Sequence, residues 1–320
     1  MRTWSGGASV AQVRDLLVSV LAAPGRTRAD QALLRGDQSL AEHDAAAAIS
    51  AYDEALRRGG PRWKARDRAV EQLFLALQLN GDARLCIDRT LADAPSLPRH
   101  HSFVSAVFVG MSCLISAPPG VANGGEATAL EKLASEAQGL SAAAEDDVYQ
   151  LYEVRYFARL RAGDSGGAHA VAAQYWAYTE HRPPPRSEDE RMARDLAKVR
   201  AAVKVGAPER VIPALEVSER ELPDDCEASS RLSTAYTAAG RFDEGIAAAT
   251  RGLGRGPGPE ATVRLLQARA TAESRKGDVP AARKDLEAAL DSAARIPAQT
   301  SRDAMFGRIH QQMAGLHGVR

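Results

Sequence analysis

Few residues able to do chemistry stand at spacings that chemistry requires. His100 and His101 are adjacent, and on a helix adjacent side chains point about 100° apart. They cannot readily share a metal and are expected at a helix start or loop after Pro98. Ser187 precedes Glu188, Asp189 and Glu190. Paired carboxylates could act as general acid and base. The order, a hydroxyl and then acids, is instead that of an N-cap and a first helical turn. His43 and Asp44 read as turn and cap residues. No GxxxxGK[ST] phosphate loop, GxSxG elbow or HExxH pair is present. The sequence therefore assigns no catalytic residue, no metal ligand and no cofactor.

The three cysteines, Cys86, Cys113 and Cys226, form no CxxC pair. Their odd number and spacing argue against a disulfide framework or a zinc site. They are expected to be buried thiols acting as small apolar groups, which fits a reducing cytoplasm.

The 320 residues are 45% hydrophobic and 5% aromatic. A large core is available, and abundant alanine favours helix packed on helix. Lys+Arg and Asp+Glu are both 41, so the basic excess of a nucleic-acid binder is missing. The local run Arg57, Arg58, Arg62, Lys64, Arg66 and Arg68 reads as a solvated corner between helix pairs. No apolar run of about 20 residues suggests a membrane span. The stretch LLVSVLAA at 16–23 follows Asp15 and carries helical spacing, so it predicts an amphipathic helix from about Ser9.

The elements behind this pattern repeat. In TAAGRFDEGIAAATRGL at 237–253, Gly240 separates two apolar faces. Leu232, Ala235, Tyr236 and Ala239 form one; Phe242, Gly245, Ile246, Ala249 and Leu253 form the other. Gly277 lies 37 positions downstream, Gly206 lies 34 upstream, and Gly163 lies 43 before that. Gly81 lies 82 before Gly163, and His43 lies 38 before Gly81. The double step predicts one more turn near 122, inside APPGVANGGE at 117–126. Seven helix pairs follow, with further helices at about 9–23 and 299–316.

These residues resemble the tetratricopeptide repeat, TPR. In LSTAYTAAGRFDEGIAAATRGLGRGP, Leu232, Tyr236, Gly240, Phe242 and Pro257 fall at consensus-like places. Gly245 stands where alanine is commoner and Ala249 where an aromatic is commoner. In the first copy Gly36, Ala48, Tyr52 and Ala55 match, while copies three to five are degenerate. The resemblance implies an all-α, right-handed solenoid of about seven antiparallel helix pairs with terminal capping helices. The expected segments are a capping helix at 1–25, pairs one to four at 26–182, pairs five to seven at 183–297, and a capping helix at 298–320. The proline run in HRPPPR at 181–186 marks the division.

The resemblance also implies a noncatalytic scaffold. A protein or peptide partner would lie in a concave groove lined by the first helix of each pair. On the C-terminal pairs that face carries Glu227, Ser230, Thr234, Thr237, Arg264, Gln267, Thr271, Ser274 and Arg275. Arg264 and Arg275 could hold an acidic group of the partner. The Lys/Asn clamp for a C-terminal carboxylate, found in some chaperone-binding relatives, is missing at these places. The alternative implied role is a regulatory or sensor module of a larger protein, beside a thioredoxin-like or transcription-regulator domain.

Overall fold

Single residues of positive φ set the turns. The computed structural model describes residues 27–140, 144–222 and 225–316. Gly81 (φ 74°), Gly163 (73°), Gly206 (77°), Gly240 (76°) and Gly277 (96°) all lie in the left-handed region. Gly120 (85°) supplies the turn expected near 122. His43, which stands where the first turn glycine would be, has φ 61°. Among the described residues it is the one non-glycine with positive φ. An aspartate follows four of these turn residues and caps the next helix. Asp44 accepts from the Ala47 N–H (2.9 Å), Asp82 from Leu85 (3.0 Å), Asp164 from Gly167 (2.8 Å) and Asp278 from Ala281 (3.1 Å).

Fifteen α-helices result among the described residues. The first three pairs are α1 (Arg28–Ala41) with α2 (Ala45–Gly59), α3 (Arg66–Leu79) with α4 (Ala83–Asp93), and α5 (His101–Ser116) with α6 (Gly124–Gln138). Next in chain order come α7 (Glu145–Arg161), α8 (Ser165–Glu180), α9 (Glu188–Val205) and α10 (Ile212–Glu221). The last are α11 (Cys226–Ala238) with α12 (Phe242–Gly254) and α13 (Pro259–Lys276) with α14 (Val279–Ala293). The final helix, α15, spans Gln299–Leu316, where the sequence places a capping helix. The helix expected from Ser9 lies outside the described residues.

The chain divides into two compact units, Met1–Ala168 and His169–Arg320. In each, first helices of successive pairs pack side by side and second helices pack on the next pair. This is an all-α helical-repeat solenoid fold. No described helix is long and apolar enough to cross a membrane.

Small residues let each hairpin close. Ala48, Ala55, Ala282 and Ala289 are fully buried. Gly36 lies against the Tyr52 ring, where a Cβ would sit 2.3 Å from Cε1. At Gly245 a Cβ would meet Thr237 Oγ1 at 2.7 Å and the Ser233 carbonyl at 3.2 Å. That crowding is why glycine replaces the commoner alanine there.

One sequence expectation is overturned. Cys86 and Cys113 form a disulfide, with Cα atoms 6.3 Å apart and a sequence separation of 27; only Cys226 is a free cysteine. Motif spacing did not signal the pair, because α4 and α5 bring the two cysteines together through space. With this bond in place, the cysteines no longer point to a reducing compartment.

Two substitutions test the packing and the turns. Ala282→Leu should overpack the α13–α14 crossing and cost about 1–3 kcal/mol in thermal or denaturant unfolding. His43→Gly should relieve left-handed strain and stabilise by about 1 kcal/mol, less the entropy that glycine adds to the unfolded chain.

Candidate functional site

The anticipated groove residues sit on α11 and α13, but their side chains have different occupations. The Arg264 Nε donates to Glu227 Oε1 at 2.6 Å. This arginine, read from sequence as a holder of a partner's acid, is neutralised by the preceding pair. Ser230 is half-buried, and its carbonyl accepts the Thr234 hydroxyl at 3.0 Å. Thr237 is buried and donates to the Ser233 carbonyl at 2.7 Å, beneath Gly245. Gln312 of α15 donates through Nε2 to the Gln267 carbonyl (3.0 Å) and to Thr271 Oγ1 (2.9 Å). The Ser274 carbonyl accepts the Gly277 N–H at 3.0 Å and so closes the helix end.

Arg275 differs from these. It is exposed and has no ion pair among the described residues. The structure gathers Thr234, Thr237, Thr271 and Arg275 on one groove of about 640 Å³, at the C-terminal ends of α9, α11 and α13. Glu227, Ser230, Arg264, Gln267 and Ser274 do not line it. Val203, Pro208 and Glu209 do, and the sequence reading missed them. Their signal was the Gly206 turn, which brings the end of α9 to the same edge.

A charged cluster lies behind this groove on α13. Arg269 clamps Asp285 of α14 through Nε (2.6 Å) and Nη2 (2.8 Å). Glu273, one turn on, has a buried Oε2 with no hydrogen-bond partner among the described residues. Burial and the Asp285 charge push the Glu273 carboxyl up to about 7, against the pull of Arg269. The consensus-like Tyr236 is also engaged: its hydroxyl donates to Glu216 of α10, and Arg241 stacks 4.5 Å from its ring centroid.

The first unit carries a different surface. His101 stands between Glu71 of α3 (3.9 Å) and Asp147 of α7 (3.0 Å), which marks the face shared by its first helices. Leu75 and Leu79 follow Glu71 at four and eight residues, and Leu79 is 61% exposed. Phe157 and Leu160 of α7 are exposed as well. A second groove of about 620 Å³ lies between the last turns of α5 and α7, lined by Leu114, Ala117, Pro118, Ala158 and Arg161 among others. Leucines at i and i+4 beyond the buried stripe were the available sequence signal for this face.

The other candidates have structural occupations. Ser187 caps α9, accepting the Glu190 N–H at 3.2 Å, with the three acids in the first turn. His100 occupies the N-cap position of α5. Arg58 pairs with Glu54 and Arg68 with Asp37 at the basic corner. Among the described residues no group of three or more His, Cys, Asp or Glu is placed to hold a metal ion.

No protein-family model matches the chain, and no curated protein matches it. Its fold resembles the crystal structure of a tetratricopeptide repeat protein from Parabacteroides merdae ATCC 43184. The TM-score is 0.53 at 10% identity, over 90% of this chain and 98% of that one. By fold, the chain is a TPR-like helical-repeat protein.

The Glu273 cluster makes stability depend on pH. Its folded-state value lies above the ordinary 4.5, so the native state holds a proton that the unfolded chain loses first. That contribution is present below about pH 4.5, is lost as pH rises toward 7, and stays lost above. Glu273→Gln should therefore stabilise by about 1 kcal/mol at pH 8 and by little at pH 4, in urea unfolding at the two pH values.

Proposed function

We propose that the chain is a noncatalytic scaffold binding a segment of a protein partner along the first-helix face of its second unit. The acidic side chain of that segment pairs with Arg275. The observation that carries this reading is the contrast between two arginines on one helix. Arg264 is matched by Glu227, whereas Arg275 stands exposed at a groove of about 640 Å³ without an ion pair among the described residues. A guanidinium presents a planar fork of donors suited to a carboxylate, and the exposed Thr234 adds a hydroxyl on the same groove. The TPR-like fold supports the reading, because stacked pairs expose an extended first-helix surface.

The test compares the full chain with Arg275→Glu and Arg264→Gln in a binding screen against immobilised acidic peptides. Peptides selected by the unaltered chain should lose affinity at least about tenfold on Arg275→Glu. They should weaken little on Arg264→Gln, and binding should fall with added salt. Selected peptides that bind Arg275→Glu unchanged would remove Arg275 from the site. Selection of no acidic peptide by the folded chain would remove the function.

A further inference from the structure

The disulfide occupies a particular place in the first unit. Cys86 lies near the start of α4 and Cys113 near the end of α5. The two helices run antiparallel, and residues 94–100 join them at their other ends. Thr90 packs against Gly110 between these points, where a Cβ on Gly110 would meet Thr90 Cγ2 at 2.4 Å. The loop thus closes one end of the hairpin and the sulfur bond closes the other. The hairpin joins the second helix of pair two to the first helix of pair three.

The bond also reaches the groove of this unit. The Cys113 carbonyl accepts the Ala117 N–H at 2.9 Å and the Ser116 hydroxyl at 3.3 Å. Leu114, Ala117 and Pro118, from that same last turn and the residues after it, line the groove of about 620 Å³. Both cysteines are buried, Cys86 fully and Cys113 to 4% exposure.

We propose that the Cys86–Cys113 bond is a redox-controlled staple that holds the last turn of α5, and with it one wall of the first unit's groove, in place. The oxidant is a low-molecular-weight disulfide. One cysteine thiolate attacks it and forms a mixed disulfide, releasing one small thiol. The second cysteine thiolate then attacks the protein sulfur of that mixed disulfide and releases the other small thiol. One S–S bond forms in the protein and one is lost from the donor, whose two thiols carry away the two electrons and two protons. Because both sulfurs are buried, the exchange takes place while α4 and α5 are apart, so the bond is set as the hairpin docks and is reduced only when it opens. Cys226 lies in the other unit, and burial pushes its thiol up, so it competes poorly as a thiolate. None of this depends on Arg275 or on the identity of a partner.

The test uses the full chain, refolded with glutathione disulfide and freed of it. Thiol titration in denaturant should give one thiol per chain, rising to three after reduction. Hydrogen exchange followed by mass spectrometry should show several-fold faster exchange across residues 114–123 when a phosphine reductant is added, with residues 226–276 unchanged. The double variant Cys86→Ala/Cys113→Ala should match the reduced chain and ignore the reductant. Should that variant not fold, the unaltered chain with and without reductant carries the test. Three thiols in the oxidised chain before reduction would overturn the staple. One thiol in the oxidised chain and three after reduction, with exchange at 114–123 the same in both, would overturn its hold on the groove. A response to reductant that persists in the folded double variant would overturn both attributions.

Discussion

The close approach of paired helices is the constraint on which the rest of this molecule depends. Helices approach closely only where side chains at the crossing are small. Here the crossing positions are alanines with no exposed surface, such as Ala48, Ala55, Ala282 and Ala289, or glycines such as Gly36 and Gly245. A hairpin closed in this way has a thin core and one apolar face left over. Burying that face is favourable only against the next hairpin. Repetition is therefore how so alanine-rich a sequence acquires a core. It also leaves the first helices side by side, with one face turned to solvent.

Ion pairs follow the same register. Arg89 reaches Asp53 at 2.7 Å, Arg84 reaches Glu126 at 2.7 Å and Arg99 reaches Glu136 at 2.6 Å. In the second unit Arg210 meets Glu180 at 3.0 Å and Lys276 meets Asp243 at 2.6 Å. In each case about one repeat length of chain separates the partners. The pairs are partly exposed, and each one alone adds little stability. Together they follow the repeat register and pair some of the 41 basic residues with some of the 41 acidic ones. They also define the candidate site by subtraction. Arg264 belongs to this pattern, through Glu227; Arg275, eleven residues later on the same helix, does not.

The two units use one hairpin geometry for different surfaces. The second presents threonines and an arginine around its groove. The first exposes leucines and a phenylalanine on its first helices, and a disulfide stands behind one groove wall. Scaffold positions are thus shared between the units while surface positions diverge. This is expected where packing constrains the crossing residues and leaves the outward ones free.

The sequence by itself determined the all-α class, the repeated helical hairpins and the turn positions. Turns and caps are local: a left-handed residue and the aspartate after it act within a few residues. Hence even His43, with no glycine to mark it, was legible from repeat spacing alone. The groove residues came from the resemblance to the tetratricopeptide repeat, which assigns the first helix of each pair to the groove. What each side chain on those helices touches was decided only by the tertiary structure. Arg264 finds Glu227 a repeat away, Gln312 returns from α15 to Thr271, and Cys86 meets Cys113 across 27 residues. Those meetings depend on how one hairpin docks against the next, and residues brought together by docking leave no fixed spacing in the chain.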